Sequence, residues 1–346
     1  MHINHAIVHV FDFSSSFEAL SDVELDLDDR TAQHFVAAHV RRAMGSIDNR
    51  HGSLPNDGAF ADEMRAYRAG RVGFAEFSVE VARFLGTELA HQDKASPADI
   101  LIVDFEESDE SASDDADSYD ARDRRYFGVF ILESKQAYMH DIRRGEDGAM
   151  RNGIVRGHAV LPNTSQKVSS YAIVDIASSR AVFNDKPRSV AGEQRLVVVE
   201  GLLQCSVEAS GKDVIETVAR IVEEVAEEYG ANAAIAVSKA KAHVVEAADE
   251  DAYLAPWDMA SDVFEDEPLR RRFEEAVAEE CLPERVPVEK KVAQRVAKSH
   301  KIRTDTGIEI TFPAEYGATS EYIEFFNAPD GTIQIELKNI GSIENR

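Results

Sequence analysis

The segment from Ser108 to Ala121 holds six carboxylates and no basic residue, and it lies between two short apolar runs, Ile100–Phe105 and Tyr126–Leu132. A tract of Ser, Asp and Glu cannot bury apolar area, so it cannot fuse the two runs into one element. The arrangement reads as two paired strands joined by a disordered acidic loop over residues 106–123. Three further runs follow, Gly153–Leu161, Val168–Ile176 and Ala181–Asn184. Strands at this spacing, joined by short turns, predict an antiparallel meander.

The segments before and after are organised differently. Ile3–Phe13 reads as a strand. Val23–Asp28 alternates, which predicts a second strand with one wet and one buried face, reached through the connection Phe17–Ser21. Helices are expected over Thr31–Met44, Phe60–Ala69 and Phe74–His91, the last with Phe74, Phe77, Val81, Phe84 and Leu85 on one stripe. Residues 45–58 have loop chemistry, with Gly45, Gly52, Pro55, Asn56 and Gly58. Past residue 206 the period is helical. Ser210 is a natural N-cap, with Asp213 three residues on, for a stripe running from Val214 to Tyr229, and Gly230 is the stop. Further helices are predicted over Ala231–Ala247, Pro256–Phe264, Pro268–Cys281 and Val288–Ser299. The tail returns to strands: Ile308–Phe312, then Tyr322–Phe326 and Thr332–Leu337 as a hairpin around Ala328-Pro329-Asp330-Gly331. The fold class is α+β, with an N-terminal α/β part (1–95), an antiparallel strand-rich middle (96–205), and a helical section with a small C-terminal β-sheet (206–346). Exposed alternating strands leave edges that could pair between subunits, so a homodimer is plausible.

The charge of −26 over 346 residues argues against a surface that coats DNA as a whole. It leaves room for a local basic site, because ions screen charge over about 10 Å. Glu246–Glu280 has thirteen acids against Arg270, Arg271 and Arg272. Lys290–Arg303 is the opposite: Lys290, Lys291, Arg295, Lys298, Lys301 and Arg303 with no acid. On a continuous helix Lys291, Arg295 and Lys298 share one side, and Lys301 and Arg303 carry the patch into the next strand. The bland alternative is a solvated helix face.

Motifs for chemistry fail on inspection. At Gly211-Lys212 the phosphate-loop pattern breaks at Ser206 and at Asp213. His5 and His9 stand about 13 Å apart along a strand, too far to share one ion. Glu24, Asp26 and Asp28 fit a solvated sheet face. Cys205 and Cys281 carry no nucleophile signature, and two cysteines cannot form a disulfide framework. No catalytic residue, metal site or cofactor is assigned. No apolar run reaches the ~20 residues of a membrane helix, and the N-terminus lacks a signal peptide, so a cytoplasmic protein is expected.

Several strings resemble the bacterial nucleoid-associated protein family, the NdpA-like proteins. At the front they are His5-Ala6-Ile7-Val8-His9, Leu20-Ser21-Asp22 and Leu25-Asp26-Leu27. At the back they are Lys301–Ile310, Tyr322–Phe325, Pro329–Ile333 and Leu337–Ile340, with the Asp305-Thr306-Gly307 and Pro329-Asp330-Gly331 turns placed as in that family. The resemblance spans the chain. It implies a cytoplasmic protein found with the nucleoid and DNA binding, and it supplies no catalytic residue set. Three functions follow for testing: non-catalytic, weakly specific binding of double-stranded DNA phosphates through the 290–303 patch; an acidic interaction module that joins the nucleoid through DNA-bound proteins such as topoisomerases; and an enzyme without a sequence motif. The first is the leading expectation.

Overall fold

A computed structural model describes residues 1–13, 15–107, 124–145, 147–250, 252–319, 321–328 and 332–343. The expected acidic loop lies almost wholly outside the described residues, as does the Pro329-Asp330-Gly331 turn. The chain divides into two compact units, Met1–Glu208 and Ala209–Arg346.

The first unit is built on a seven-stranded antiparallel sheet. Its strands are β1 (His2–Asp12), β2 (Phe17–Ala19), β3 (Arg50–Ser53), β4 (Ala98–Glu107), β5 (Arg124–Glu133), β8 (Tyr171–Asp175) and β9 (Arg180–Asn184), in the order β2-β1-β4-β5-β8-β9-β3. Two further strands, β6 (Lys135–Arg144) and β7 (Met150–Val160), pair with each other and, among the described residues, with no other strand. β4 and β5 pair along their full length, from Ala98 opposite Glu133 to Glu107 opposite Arg124. Glu106 and Glu107 therefore belong to the ladder, not to the expected loop. The meander β4-β5-β8-β9 forms, but the run expected within it at Gly153–Leu161 does not join: it lies in β7, which pairs with β6, and β5 pairs directly with β8.

Both faces of the sheet are covered, which is why β4 reads as an unbroken apolar run. Ile100 and Ile102 face helices α2 (Ala59–Arg68) and α3 (Phe74–Ala90), together with a π-helical segment, Val197–Leu203, that sequence reading missed. Leu101, Val103 and Phe105 face α1 (Arg30–Met44) through Val36, Val40 and Ala43. On the α2/α3 face Phe127 sits among Phe60, Tyr67, Phe74 and Phe77, its ring 4.6 Å from that of Phe77. On the same face Gly86 lets α3 approach β1, since a Cβ there would stand 2.2 Å from the Phe11 ring.

Three local expectations change. Val23–Asp28 is not a strand. Glu24, Asp26 and Asp28 are exposed and Leu25 and Leu27 turn inward, so the alternation marks burial, while the strand that pairs with β1 on the side away from β4 is Phe17–Ala19, within the expected connection. The loop 45–58 contains the edge strand β3, paired with β9. Phe84 leaves the α3 stripe and is partly exposed.

The second unit is helical with hairpins. Ser210 caps α4 (Gly211–Glu228) by accepting from the Asp213 amide, and Gly230 takes the left-handed conformation just past its end. Helices α5 (Ala233–Glu250), α6 (Ala260–Val263), α7 (Glu267–Glu279), α8 (Lys290–Val296) and α9 (Ala314–Thr319) follow. Two hairpins complete the unit. In one, β14 (Ser299–Arg303) pairs with β15 (Glu309–Pro313); in the other, β16 (Ile323–Asn327) pairs with β17 (Ile333–Leu337). The short ladders β10–β11 (Arg188–Val190 with Glu193–Arg195) and β12–β13 (Tyr253–Leu254 with Val286–Pro287) lie outside both main arrangements. Phe312, Ile323 and Phe325 form a small core with Ile235, Ile302 and Ile310. This is the α+β architecture that the sequence predicts.

Candidate nucleic-acid interface

The six basic residues of 290–303 lie on α8, the connection after it, and β14. All six side chains are exposed. α8 is held by Val292 and Ala293, which are buried, so Lys290, Lys291 and Arg295 are turned outward. Lys291 and Arg295, one turn apart, share a face. The expected helix to Ser299 is shorter in the structure. Its last backbone bond runs from the Ala297 amide to Ala293, Ala297 is fully buried, and Lys298 falls in the connection, where its carbonyl accepts from Ala314. Lys298 therefore does not continue the helical stripe. The chain leaves the helix there because Ser299 opens the ladder to Pro313.

β14 alternates as a half-buried strand should. His300 and Ile302 point inward; Ser299, Lys301 and Arg303 point out. His300 anchors the inner side. Its Nδ1 lies 2.8 Å from Ser238 Oγ, and that hydroxyl donates to the Ala234 carbonyl at 2.7 Å. The serine proton is thus committed, so Nδ1–H is the donor. Burial, reinforced by the neighbouring Lys241 charge, lowers the His300 pKa to about 4. Lys241, itself pushed down by burial, donates to the Ser299 carbonyl at 3.1 Å and ties the first residue of β14 to α5.

The cations are not equivalent. Lys290 Nζ lies 2.7 Å from Asp249, and Lys301 Nζ lies 2.7 Å from Glu309 across the hairpin. Arg295, Lys298 and Arg303 have no ion pair among the described residues. Exposed pairs of this kind are worth about 0–1 kcal/mol and are screened by salt, so a phosphate can displace either carboxylate. Lys301 and Arg303 also border a cavity of about 1330 Å³ between α4, α5 and the two hairpins. Its walls mix Arg220 and Lys241 with Glu216, Glu223 and Asp305. Sequence reading missed this groove.

Elsewhere the polar chemistry is structural. Asp104, fully buried, accepts from Tyr67 Oη at 2.6 Å, Arg125 Nε at 2.9 Å and Asn4 Nδ2 at 2.9 Å, and is satisfied. His5 bonds Glu24 at 2.8 Å, whereas His9 is buried against Ser78, so the two rings serve different partners. Burial raises the Cys205 thiol to about 11, which suppresses the thiolate a nucleophile needs. Among the described residues no three His, Cys, Asp or Glu side chains are grouped to hold a metal ion, and no helix is long and apolar enough to cross a membrane.

The described residues display exposed cations on a scaffold of buried polar groups, of which Asp104 is satisfied while His39 and Asp99 Oδ1 are buried without a hydrogen-bond partner. That character agrees with a comparison over the whole sequence. The family NA37, described as nucleoid-associated protein YejK, matches residues 7–345, and the chain belongs to this nucleoid-associated protein family. Membership makes it a DNA-associated, non-catalytic protein of the nucleoid, and so of the cytoplasm. No curated protein matches the chain.

Proposed function

We propose that the protein binds double-stranded DNA directly, without catalysis, through Lys290, Lys291, Arg295, Lys298, Lys301 and Arg303, and that within its family it is of the NdpA-like kind. One observation carries this reading: in a chain of charge −26, a run of six cations without an acid emerges exposed on consecutive elements. The groups are mobile point charges and forks on a surface, with no helix seated to read base edges. Contacts of this type position a protein on phosphates and carry little sequence information.

Anisotropy of a labelled duplex across about 50 to 300 mM salt tests the reading. Six phosphate contacts give a log–log slope of about −5. Replacing all six by Gln abolishes binding; unchanged affinity and slope in that variant remove the assignment.

A second reading keeps one specific observation. Glu265, Asp266, Glu267, Glu274, Glu275, Glu279 and Glu280 around α7 are all exposed, a surface suited to basic faces of DNA-bound proteins such as topoisomerases. It gains if the duplex stays unbound at the lowest salt while nuclease-treated pull-downs still recover nucleoid proteins.

A further inference from the structure

The β6–β7 ribbon stands apart from the sheet it grows out of. Ten- and eleven-residue strands span roughly 33 Å. They pair with each other from Lys135 opposite Val160 to Arg144 opposite Met150 and, among the described residues, with no other strand. A two-stranded ribbon is at best marginally stable in water by itself and needs a third layer or strand.

The register shows what such a layer would meet. Residues directly opposite share a face, so Ile142 with Asn152, His140 with Ile154, and Arg144 with Met150 lie on one side, joined by Tyr138. On that side Tyr138, Ile142, Met150 and Ile154 are 61–75% exposed. Four large apolar side chains in a row on one face mark an interaction surface. Arg143 and Arg151, on the opposite face, are held by Asp141 at 2.7 Å and Asp147 at 2.6 Å. Residues 135–160 have five bases and three acids, a charge of +2, which leaves −28 on the rest of the chain.

The same unit offers a surface of opposite character. β2 closes one end of the main sheet and has a partner on one side only. The segment from Phe17 to Asp29 has six acids and no base. Within it Phe17 and Val23 are 55% and 80% exposed. An apolar, cationic ribbon and an apolar, acidic sheet edge are complementary, and a strand can add to such an edge through its backbone.

We infer that the ribbon is an exchanged arm, whose Tyr138–Ile142–Ile154–Met150 face docks on the acidic Phe17–Asp29 edge of a second copy of this chain. Two-fold symmetry makes the contact twice. One ribbon face of roughly 300 Å² would bury too little for a stable pair, but two arms, counted on both partners, bury about 1,200 Å², the lower end of specific interfaces. DNA fits the ribbon less well. Two of its arginines are engaged by the ribbon's own aspartates, and bare phosphate offers nothing to the four apolar side chains.

Sedimentation at micromolar concentration tests the arm, with circular dichroism as the check on folding. The full chain runs as a dimer. Ile142→Glu with Ile154→Glu weakens it by at least about a hundred-fold, because two buried isoleucines per arm are lost. Charge exchange gives a second, independent route on exposed residues alone. Arg144→Glu in one chain, at the cation beside Met150 on the docking face, and Glu24→Lys/Asp26→Lys/Asp28→Lys in another each weaken the dimer towards monomer. Mixing the two restores a heterodimer, since both arm–edge contacts are then matched. A monomeric parent chain, a dimer that survives the isoleucine changes, or a mixture that stays monomeric overturns the inference. So does a set of arm variants that keep their mass and lose only duplex binding, which would make the ribbon a DNA contact instead.

Discussion

The two units handle charge in opposite ways. In the sheet unit the decisive polar groups are buried and committed: Asp104 to Tyr67, Arg125 and Asn4, and His9 to Ser78. In the helical unit the notable charges are exposed, and some are loosely paired or not paired at all among the described residues. A buried charge with good partners defines a structure, because removing one partner strands the others. An exposed charge contributes little to folding and remains available to a ligand. The contrast is why the candidate interface falls in the second unit, although the first holds the larger core.

The largest test of that contrast is Asp104→Leu. It leaves Tyr67 Oη and the Arg125 guanidinium without their acceptor, and denaturant unfolding of the sheet unit should show a loss of about 3–5 kcal/mol. Phe127→Ala, which empties the centre of the aromatic cluster, belongs in the same range of about 3–5 kcal/mol. An effect below about 1 kcal/mol in either would mean the sheet core is looser than its geometry implies.

Acid sharpens the comparison next. His300 has a folded pKa of about 4, below the ordinary 6.5. The unfolded chain therefore binds the proton first, and the stability due to neutral His300 is complete above pH 6.5 and lost as pH falls through 4. His9 behaves alike in the sheet unit, also lowered to about 4 by burial. There, however, Asp99 opposes it. Burial raises Asp99 to about 6 from 3.8, so the folded sheet unit binds that proton first and gains stability as pH falls from 6 towards 3.8. The two nearly cancel. Hydrogen exchange between pH 7 and 4.5 should show the helical unit losing protection before the sheet unit. His300→Gln, which stays neutral, should recover up to about 3 kcal/mol near pH 4.

Asp99→Asn gives a somewhat smaller and oppositely placed effect. It should stabilise the sheet unit by about 2 kcal/mol above pH 6 and make no difference near pH 3.5. Equal effects at both pH values would show that Asp99 is not carrying a buried charge. Smallest in stability are Lys290→Gln and Lys301→Gln, each within about 0.5 kcal/mol by thermal unfolding. In DNA binding they should cost less than Arg295→Gln or Arg303→Gln, whose guanidinium groups form no ion pair among the described residues.

The pattern of the sequence carried the long elements. Thr31–Met44, Phe60–Ala69, Phe74–His91 and the Ser210-capped helix were legible because a 3.6-residue apolar period over three or more turns has no rival reading. The β4–β5 pair was legible for a different reason, since two apolar runs bounded by an acid tract have few ways to be buried. The strand β6 was invisible: Lys135–Arg144 mixes charge and apolar groups in a way that only a free ribbon tolerates. Val23–Asp28 misled because burial alternates along any extended chain lying on a core, whether or not it joins a ladder.

Composition and local order by themselves determined that this chain is an acidic α+β protein, with one cationic stretch and with the strings of a nucleoid-associated family. Tertiary structure decided what those charges can do. It ended α8 at Val296 and moved Lys298 off the helical stripe, set Lys290 against Asp249 and Lys301 against Glu309, and left Arg295 and Arg303 without an ion pair among the described residues. It also turned Ile142 and Ile154 outward on one face of a ribbon. Sequence order fixes which residues are neighbours along an element. Ion pairs, exposed faces and sheet edges depend on residues brought together from far along the chain, and that proximity exists only once the core has closed.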